Sequence, residues 1–482
     1  MRRLLAAAVL MGAWNTRAGL AQSVSPEVQR HIDKITSCVR EAVMAEGEPC
    51  VGLKERMAQY HVPGVSIAVV HDGKIEWARG VGVASVGGPA VTADTMFQAG
   101  SISKPVAAMA ALKLVEQKKL SLDADVNTEL KEWKLPSSEA AKGKTVTLQE
   151  LLMHTGGTTV HGFPGYAQGE AVATLVQVLN GEKPANTAAI RIETEPGTKW
   201  NYSGGGYTIM QTMVVDATGE TFPKVMHDLV LAPIGMTHST YEQPRPEAMG
   251  PAAVPYNADG TPVKGGAHTY PEMAAAGLWT TATDLAKYII ENQRSLQSNA
   301  NHVLSEAMTK EMMMPGMGRW GLGLQIGGKP GDQYFQHGGV NAGFEALFVG
   351  YEGHGDGAVV MTNAQGGSRL ADALMKSIAA EYGWPDFKPV VRSEVKVDPK
   401  VLAQYVGTYE LLPRFSLTFT MDGDMMYAQS NPNDKMRVYA ESETKVFPKA
   451  MNAEIEFVKD DKGQVTGLVL HQGGRDLKGL KK

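Results

Sequence analysis

Only two cysteines, Cys38 and Cys50, occur in the 482 residues, so a cysteine-rich scaffold is excluded and no third thiol exists for a zinc cluster. The 12 histidines contain no His-Glu-x-x-His motif and no close triplet, so neither a metal nor another cofactor is expected. No apolar stretch reaches the about twenty residues a bilayer core requires. The stretch from Leu4 to Trp14 has 11, and no later segment is long enough. No Lys/Arg-rich run stands out, and 46 basic against 51 acidic side chains leave a net charge of −5, so nucleic acid is not an expected partner. Hydrophobic residues at 43% and charged residues at 20% are ordinary globular usage, which excludes disordered, collagenous and coiled-coil classes.

What is present begins with an address. Arg2 and Arg3 precede the apolar stretch, and Gly19-Leu20-Ala21 supplies small residues for cleavage, so residues 1–21 read as a signal peptide and the protein as periplasmic or secreted. In an oxidising compartment Cys38 and Cys50, 12 positions apart, are expected to close a small loop, a staple of about 3 kcal/mol on the chain-entropy model. Two free thiols are the alternative.

Ser23 to Tyr60 reads as largely helical, with Val28, Ile32, Ile35 and Val39 at helical spacing. Val65 to Val70, Asp72-Gly73 and Ile75 to Val83 form a hairpin pattern. A long helix is expected from Ser101, with Ala108, Ala111, Leu112 and Val115 on one face. Further helices are expected over Gly206 to Ala217 and Thr283 to Glu291, the latter capped by Thr283. Trp384 to Pro389 looks like a linker, after which short strands alternate with turns such as Asp422-Gly423 and Asp461-Lys462-Gly463. The reading is therefore a main α+β domain over 22–388 and an all-β module over 389–482.

The sharpest chemical signal is Gly100-Ser101-Ile102-Ser103-Lys104. Residues three apart on a helix face bring Cβ atoms within about 5–6 Å, so amine and hydroxyl can meet. A serine hydroxyl attacks only when a neighbour takes its proton, and lysine does so only when burial or charge lowers its pKa from about 10.4. A helix N-terminus favours the oxyanion as it forms. Tyr202, in Asn201-Tyr202-Ser203-Gly204, is placed to move the proton between serine and leaving group. His337-Gly338-Gly339, read between two strands, lets a substrate lie against a strand edge while the histidine donates to its carbonyl or carboxylate.

These three motifs in this order resemble the serine β-lactamase and penicillin-binding-protein superfamily, specifically its class C and esterase-like branch. Leu151-Leu152-Met153-His154-Thr155-Gly156-Gly157, Pro196-Gly197-Thr198, Gly277-Leu278-Trp279-Thr280-Thr281 and Gly321-Leu322-Gly323-Leu324 add to the resemblance, which runs from about Val62 to Ala380. It implies an antiparallel sheet flanked by helices with an all-helical region, followed by a tail similar to a lipocalin-like β-domain. It also implies that Ser101 is the nucleophile of an acyl-enzyme, Lys104 its base and Tyr202 a proton carrier. By position, the backbone N–H groups of Ser101 and Val340 would form the oxyanion hole. His337, Gly338, Gly339 and Val340 would line the substrate, and His154 would be structural.

Two departures bear on substrate. Gly204 stands where β-lactamases carry an asparagine, and Gly338 replaces the threonine of Lys-Thr-Gly. Both remove polar contacts to a β-lactam, so a small-molecule or peptide acyl substrate (ester, lactone or peptide) is expected. β-Lactamase or D,D-peptidase action is the alternative, and a non-catalytic penicillin-binding-like protein a third. Gly64-Val65-Ser66-Ile67-Ala68 is close to a nucleophile elbow, but it sits in a strand-like run. Oligomeric state is not legible.

Overall fold

The computed structural model describes residues 24–297, 301–413, 415–430 and 435–482; the expected signal peptide lies outside them. Six strands form one antiparallel sheet: β1 (Gly64–His71), β2 (Lys74–Gly82), β3 (Gln325–Lys329), β4 (Asp332–Asn341), β5 (Phe344–Tyr351) and β6 (Gly357–Thr362). Their order across the sheet is β2-β1-β6-β5-β4-β3. The β1–β2 hairpin turns at Asp72 and Gly73, with φ of 51° and 68°, the positive angles that a two-residue turn matched to strand twist requires.

Successive side chains of a strand point to opposite faces, and β1 divides between two cores accordingly. Ile67 and Val69 pack with the Pro26–Ser37 and Gly367–Tyr382 helices. Ala68 and Val70 face the other core, which holds the Ser103–Glu116, Gly204–Thr218 and Ala282–Leu296 helices. Because both faces are covered, β1 is a near-continuous apolar run rather than an alternating one. Ser66 lies within it at 0% exposure, where no substrate reaches it, so the elbow reading fails.

Several expectations need correction. Ser23 to Tyr60 is not one helical stretch: helices Pro26–Ser37 and Leu53–Gln59 flank a segment containing a short strand, Val43–Ala45. That segment is held by the Cys38–Cys50 disulfide, whose Cα atoms are 4.7 Å apart. The Ala282–Leu296 helix is capped by the Thr281 side chain, which accepts from the Asp284 N–H, and not by Thr283. His337, Gly338 and Gly339 lie within β4, paired with Phe348, Leu347 and Ala346 of β5, rather than between strands. The stretch after Trp384 is anchored more firmly than a linker. Trp384 is 1% exposed and meets the Tyr351 ring edge-on, and Val390–Arg392 pairs in parallel with Val43–Ala45.

The tail is a closed barrel of eight antiparallel strands, from Gly407–Leu412 to Arg475–Lys481, in which the last strand pairs with the first. Closure removes the exposed edges that invite aggregation. The whole is an α+β domain with a β-lactamase/transpeptidase-like arrangement, followed by an all-β domain.

Candidate active site

Ser101 lies in a single 3-10 turn, Gly100–Ile102, that feeds directly into the Ser103–Glu116 helix. The turn is pressed against β4. Gly100 has φ of 52°, and a Cβ there would lie 2.5 Å from the Val340 nitrogen. A Cβ on Gly339 would lie 1.9 Å from the Ala99 oxygen. Both glycines are therefore required by close approach. The Ser103 hydroxyl locks the turn, donating to the Gly100 carbonyl at 2.6 Å and accepting from the Leu278 N–H at 2.9 Å.

One helical turn on, Lys104 Nζ is 3.0 Å from Ser101 Oγ and donates to the Ala275 carbonyl at 2.8 Å. Its side chain is 2% exposed, with no ion pair among the described residues. Burial without a counter-charge disfavours the ammonium and lowers its pKa to about 7. Near neutrality a large fraction is free amine, able to turn its lone pair to the serine hydroxyl while one N–H stays on Ala275.

Tyr202 closes the group. Its hydroxyl hydrogen-bonds Ser101 and its ring centroid is 5.0 Å from Lys104 Nζ. Burial raises the phenol well above its ordinary value, so it remains protonated and donates. The loop that carries it is held by His154. The His154 carbonyl accepts from the Asn201 N–H at 2.8 Å, its Nδ1 accepts from the Ser203 N–H at 3.1 Å, and its ring lies 4.2 Å from that of Tyr202. Burial, with Lys104 and His337 nearby, drives its pKa well down, so the imidazole is neutral.

His337 is 4% exposed, 6.3 Å ring to ring from Tyr202. Its Nδ1 lies 2.5 Å from the Gly338 carbonyl, which can only accept, so Nδ1 carries the proton. Nε2 is the bare, acceptor nitrogen and is itself buried without a partner. Burial and then the Lys104 charge lower the imidazole to about 3. The expected donation from His337 to a substrate carbonyl or carboxylate is thus not what this geometry offers. Gly338 and Val340 are the exposed members of this stretch, Val340 at 61%. β3 pairs with β4 only as far as Gln336, so among the described residues the outer edge of β4 from His337 to Asn341 has no strand partner.

Two contributors gave no sequence signal. Trp320 packs its ring against Tyr202, His154 and His337 at centroid distances of 5.8, 5.1 and 5.5 Å. Glu272 precedes the Met273–Ala276 turn whose Ala275 carbonyl holds Lys104. It is 0% exposed, neither carboxyl oxygen has a hydrogen-bond partner, and burial raises its pKa to about 7. Both residues come from segments far from Ser101 in the chain, and only tertiary packing identifies them. Among the described residues, one group has metal-ligand spacing: Glu454, Glu456 and His471 on the barrel. Lys445 and Arg392 already pair with Glu454, and Asp476 with His471.

Comparison with known proteins agrees with this architecture. Residues 53–381 match the family model described as Beta-lactamase, and residues 391–480 match a domain of unknown function, DUF3471. Penicillin-binding protein 4 of Amycolatopsis lactamdurans is 26% identical over 73% of this chain and 94% of its own. Esterase EstB of Burkholderia gladioli is 28% identical over 43% of this chain and 53% of its own. Among solved structures, the octameric penicillin-binding protein homologue from Pyrococcus abyssi superposes with a TM-score of 0.61 at 22% identity, covering 89% of this chain and 98% of the other. The chain, whose relatives include a penicillin-binding protein and an esterase, belongs to the Beta-lactamase family, which supports a serine hydrolase or acyltransferase kind.

Proposed function

We propose that the protein is an exported serine hydrolase that forms an acyl-enzyme on Ser101, with an ester or lactone as its preferred substrate. The observation that carries this reading is the buried Lys104 amine 3.0 Å from the serine hydroxyl. In acylation the Ser101 oxygen bonds the substrate carbonyl carbon as its proton passes to Lys104. The carbon–oxygen bond to the leaving alcohol breaks, and the alkoxide takes a proton through the Tyr202 hydroxyl. Water then attacks the acyl-enzyme, giving its proton to the same pair and returning Ser101. The N–H groups of Ser101 and Val340 are assigned to the oxyanion, a contribution of roughly 3–4 kcal/mol where one such donor has been removed elsewhere.

Preference for an ester or lactone rests on His337 and Gly338. A neutral imidazole whose one N–H is committed to Gly338, beside a residue without a side chain, supplies no cationic clamp for the carboxylate of a β-lactam or D-alanyl peptide. The unpaired edge of β4 favours the second reading, a peptide laid alongside as an added strand. Export rests on the sequence reading and is supported by the Cys38–Cys50 bridge.

A fluorophosphonate probe is expected to label Ser101 in the wild type and nothing in Ser101→Ala, with p-nitrophenyl ester turnover falling to the uncatalysed rate. Labelling that survives Ser101→Ala would remove the assignment. A wild type that takes no probe is the non-catalytic reading. Faster turnover of D-Ala-D-Ala peptides than of esters would replace the ester preference with the peptidase one.

A further inference from the structure

We propose that Asn341 is a positioning residue for acyl transfer: its side-chain amide fixes the oxyanion strand, the Ser101 turn and the carbonyls behind Lys104 in a single register. The inference rests on the acyl-transfer reading and adds to it a residue that touches none of the reacting atoms. Asn341 is the last residue of β4. Side chains alternate along a strand, so it lies on the same face as Gly339, which is pressed against Ala99, while Val340 between them is turned outward. It is 5% exposed. A primary amide has two hydrogens to donate, and here both go to separate pieces of the site. Nδ2 donates at 3.0 Å to the Ala276 carbonyl and at 3.0 Å to Gln98 Oε1. Neither amide can be turned over. The Ala276 carbonyl only accepts, and Gln98 Nε2 is committed to the His268 carbonyl at 2.7 Å, which leaves Gln98 Oε1 facing Asn341.

Each anchor bears on the chemistry. Ala276 follows Ala275, whose carbonyl takes the Lys104 N–H. Both carbonyls belong to the end of the Met273–Ala276 helix, where backbone acceptors have no partner within the helix, so Lys104 and Asn341 satisfy two neighbouring orphans. Gln98 lies three residues before Ser101 and pairs with Trp279, and the Ala99 N–H next to it donates to the Leu278 carbonyl. On its own strand Asn341 adjoins Val340, whose N–H is assigned to the oxyanion, and the Ala342 N–H that follows is held by the buried Tyr270 hydroxyl at 3.1 Å. Nucleophile, base and oxyanion donor thus come from three distant stretches of chain, and one side chain ties all three. An error of about 1 Å in such an alignment costs roughly 10²-fold in rate.

Asn341→Asp keeps the outline and replaces the amide N–H groups by oxygen, and Asn341→Ala removes the group. In the full-length protein, each is expected to lower the acylation rate constant for p-nitrophenyl acetate, per fluorophosphonate-titrated site, about 10²-fold with the substrate dissociation constant unchanged. The inhibition constant of phenylboronic acid, which the Ser101 oxygen bonds to give a tetrahedral boronate, should rise by the same factor, because misalignment is felt in the tetrahedral state and not in the bound ester. A residue that only supported the fold would lower the titrated fraction and leave both constants per site at their wild-type values, which overturns the inference. Slow acylation with wild-type boronate affinity overturns it as well. Circular dichroism reports folding. Should neither Asn341 variant fold, Gln98→Met, which removes one of the two acceptors, decides by the same constants, with an expected change of about tenfold in both. A wild type that takes no fluorophosphonate overturns the acyl-transfer reading and this inference with it, whereas a labelled wild type with unimpaired variants overturns this inference alone.

Discussion

Lys104 and Lys449 are two lysines almost wholly withdrawn from water, at 2% and 7% exposure, yet their surroundings drive them in opposite directions. Lys104 has a serine and a carbonyl for company and falls to about 7. Burial alone would lower Lys449 as well, but Glu48 at 2.9 Å and Glu394 at 3.2 Å outweigh it and hold the ammonium above its ordinary range. The Tyr439 ring, 4.0 Å from its Nζ, adds to that. A buried amine without a counter-charge is a base; with one it is a rivet. The cleft keeps a destabilised group for its reactivity, and the junction between N-terminal segment and barrel keeps a stabilised one for its hold.

Removing the cleft amine is the largest way to break that contrast. Lys104→Met is expected to slow acylation by roughly 10²–10⁴-fold while raising the melting temperature by a few degrees, because a group that resists burial is replaced by one that does not. Stopped-flow p-nitrophenyl acetate bursts and calorimetry read the two effects. A slow and destabilised variant would mean that the amine is held by interactions beyond those described.

The pH dependence sharpens the same point. In the proposed mechanism Lys104 must be neutral to take the serine proton, so kcat/KM should rise with pH through about 7. Its folded pKa lies below the unfolded value of about 10.4. Between those two values the unfolded chain binds the extra proton, so its burden on stability is full below pH 7 and is relieved as pH climbs toward 10. The stabilisation by Lys104→Met should accordingly be greater at pH 6 than at pH 9. His337, already lowered to about 3, should add no inflection between pH 5 and 9.

On the barrel side the effects are smaller and structural. Phe457→Ala removes the ring that Tyr405 and Phe419 pack against in the barrel core and should cost the barrel about 3–5 kcal/mol, seen as a separate, earlier thermal transition, while Ser101 still takes a fluorophosphonate. Glu48→Gln is the smallest. Glu48 is partly exposed and Glu394 remains to pair with Lys449, so the loss should be about 1 kcal/mol or less and should leave ester turnover unchanged.

Much of this was legible in the chain because the determinants are local. The Ser101–Lys104 spacing works through helix geometry alone, Asp72-Gly73 forces its turn through positive φ, and Leu417–Thr420 with Met425–Ala428 shows the two-residue alternation found in the barrel. The misplacements come from backbone conformation and tertiary contact, which spacing alone does not carry. Val43–Ala45 is a strand only because Val390–Arg392, far along the chain, lies beside it. Thr281 caps its helix in preference to Thr283 because its extended backbone points the hydroxyl at the Asp284 N–H. The protonated nitrogen of His337 is fixed by the carbonyl that faces it, and the role of Trp320 exists only once three distant rings surround it.

The parallel pairing of Val43–Ala45 with Val390–Arg392 also governs how the molecule can be cut. A chain ended before Val390 would bare one margin of that N-terminal ribbon and strip Glu48 of its cation. Its main domain would then carry a sticky, unpaired seam. The two halves are better regarded as a clasped pair than as a machine with a detachable appendage.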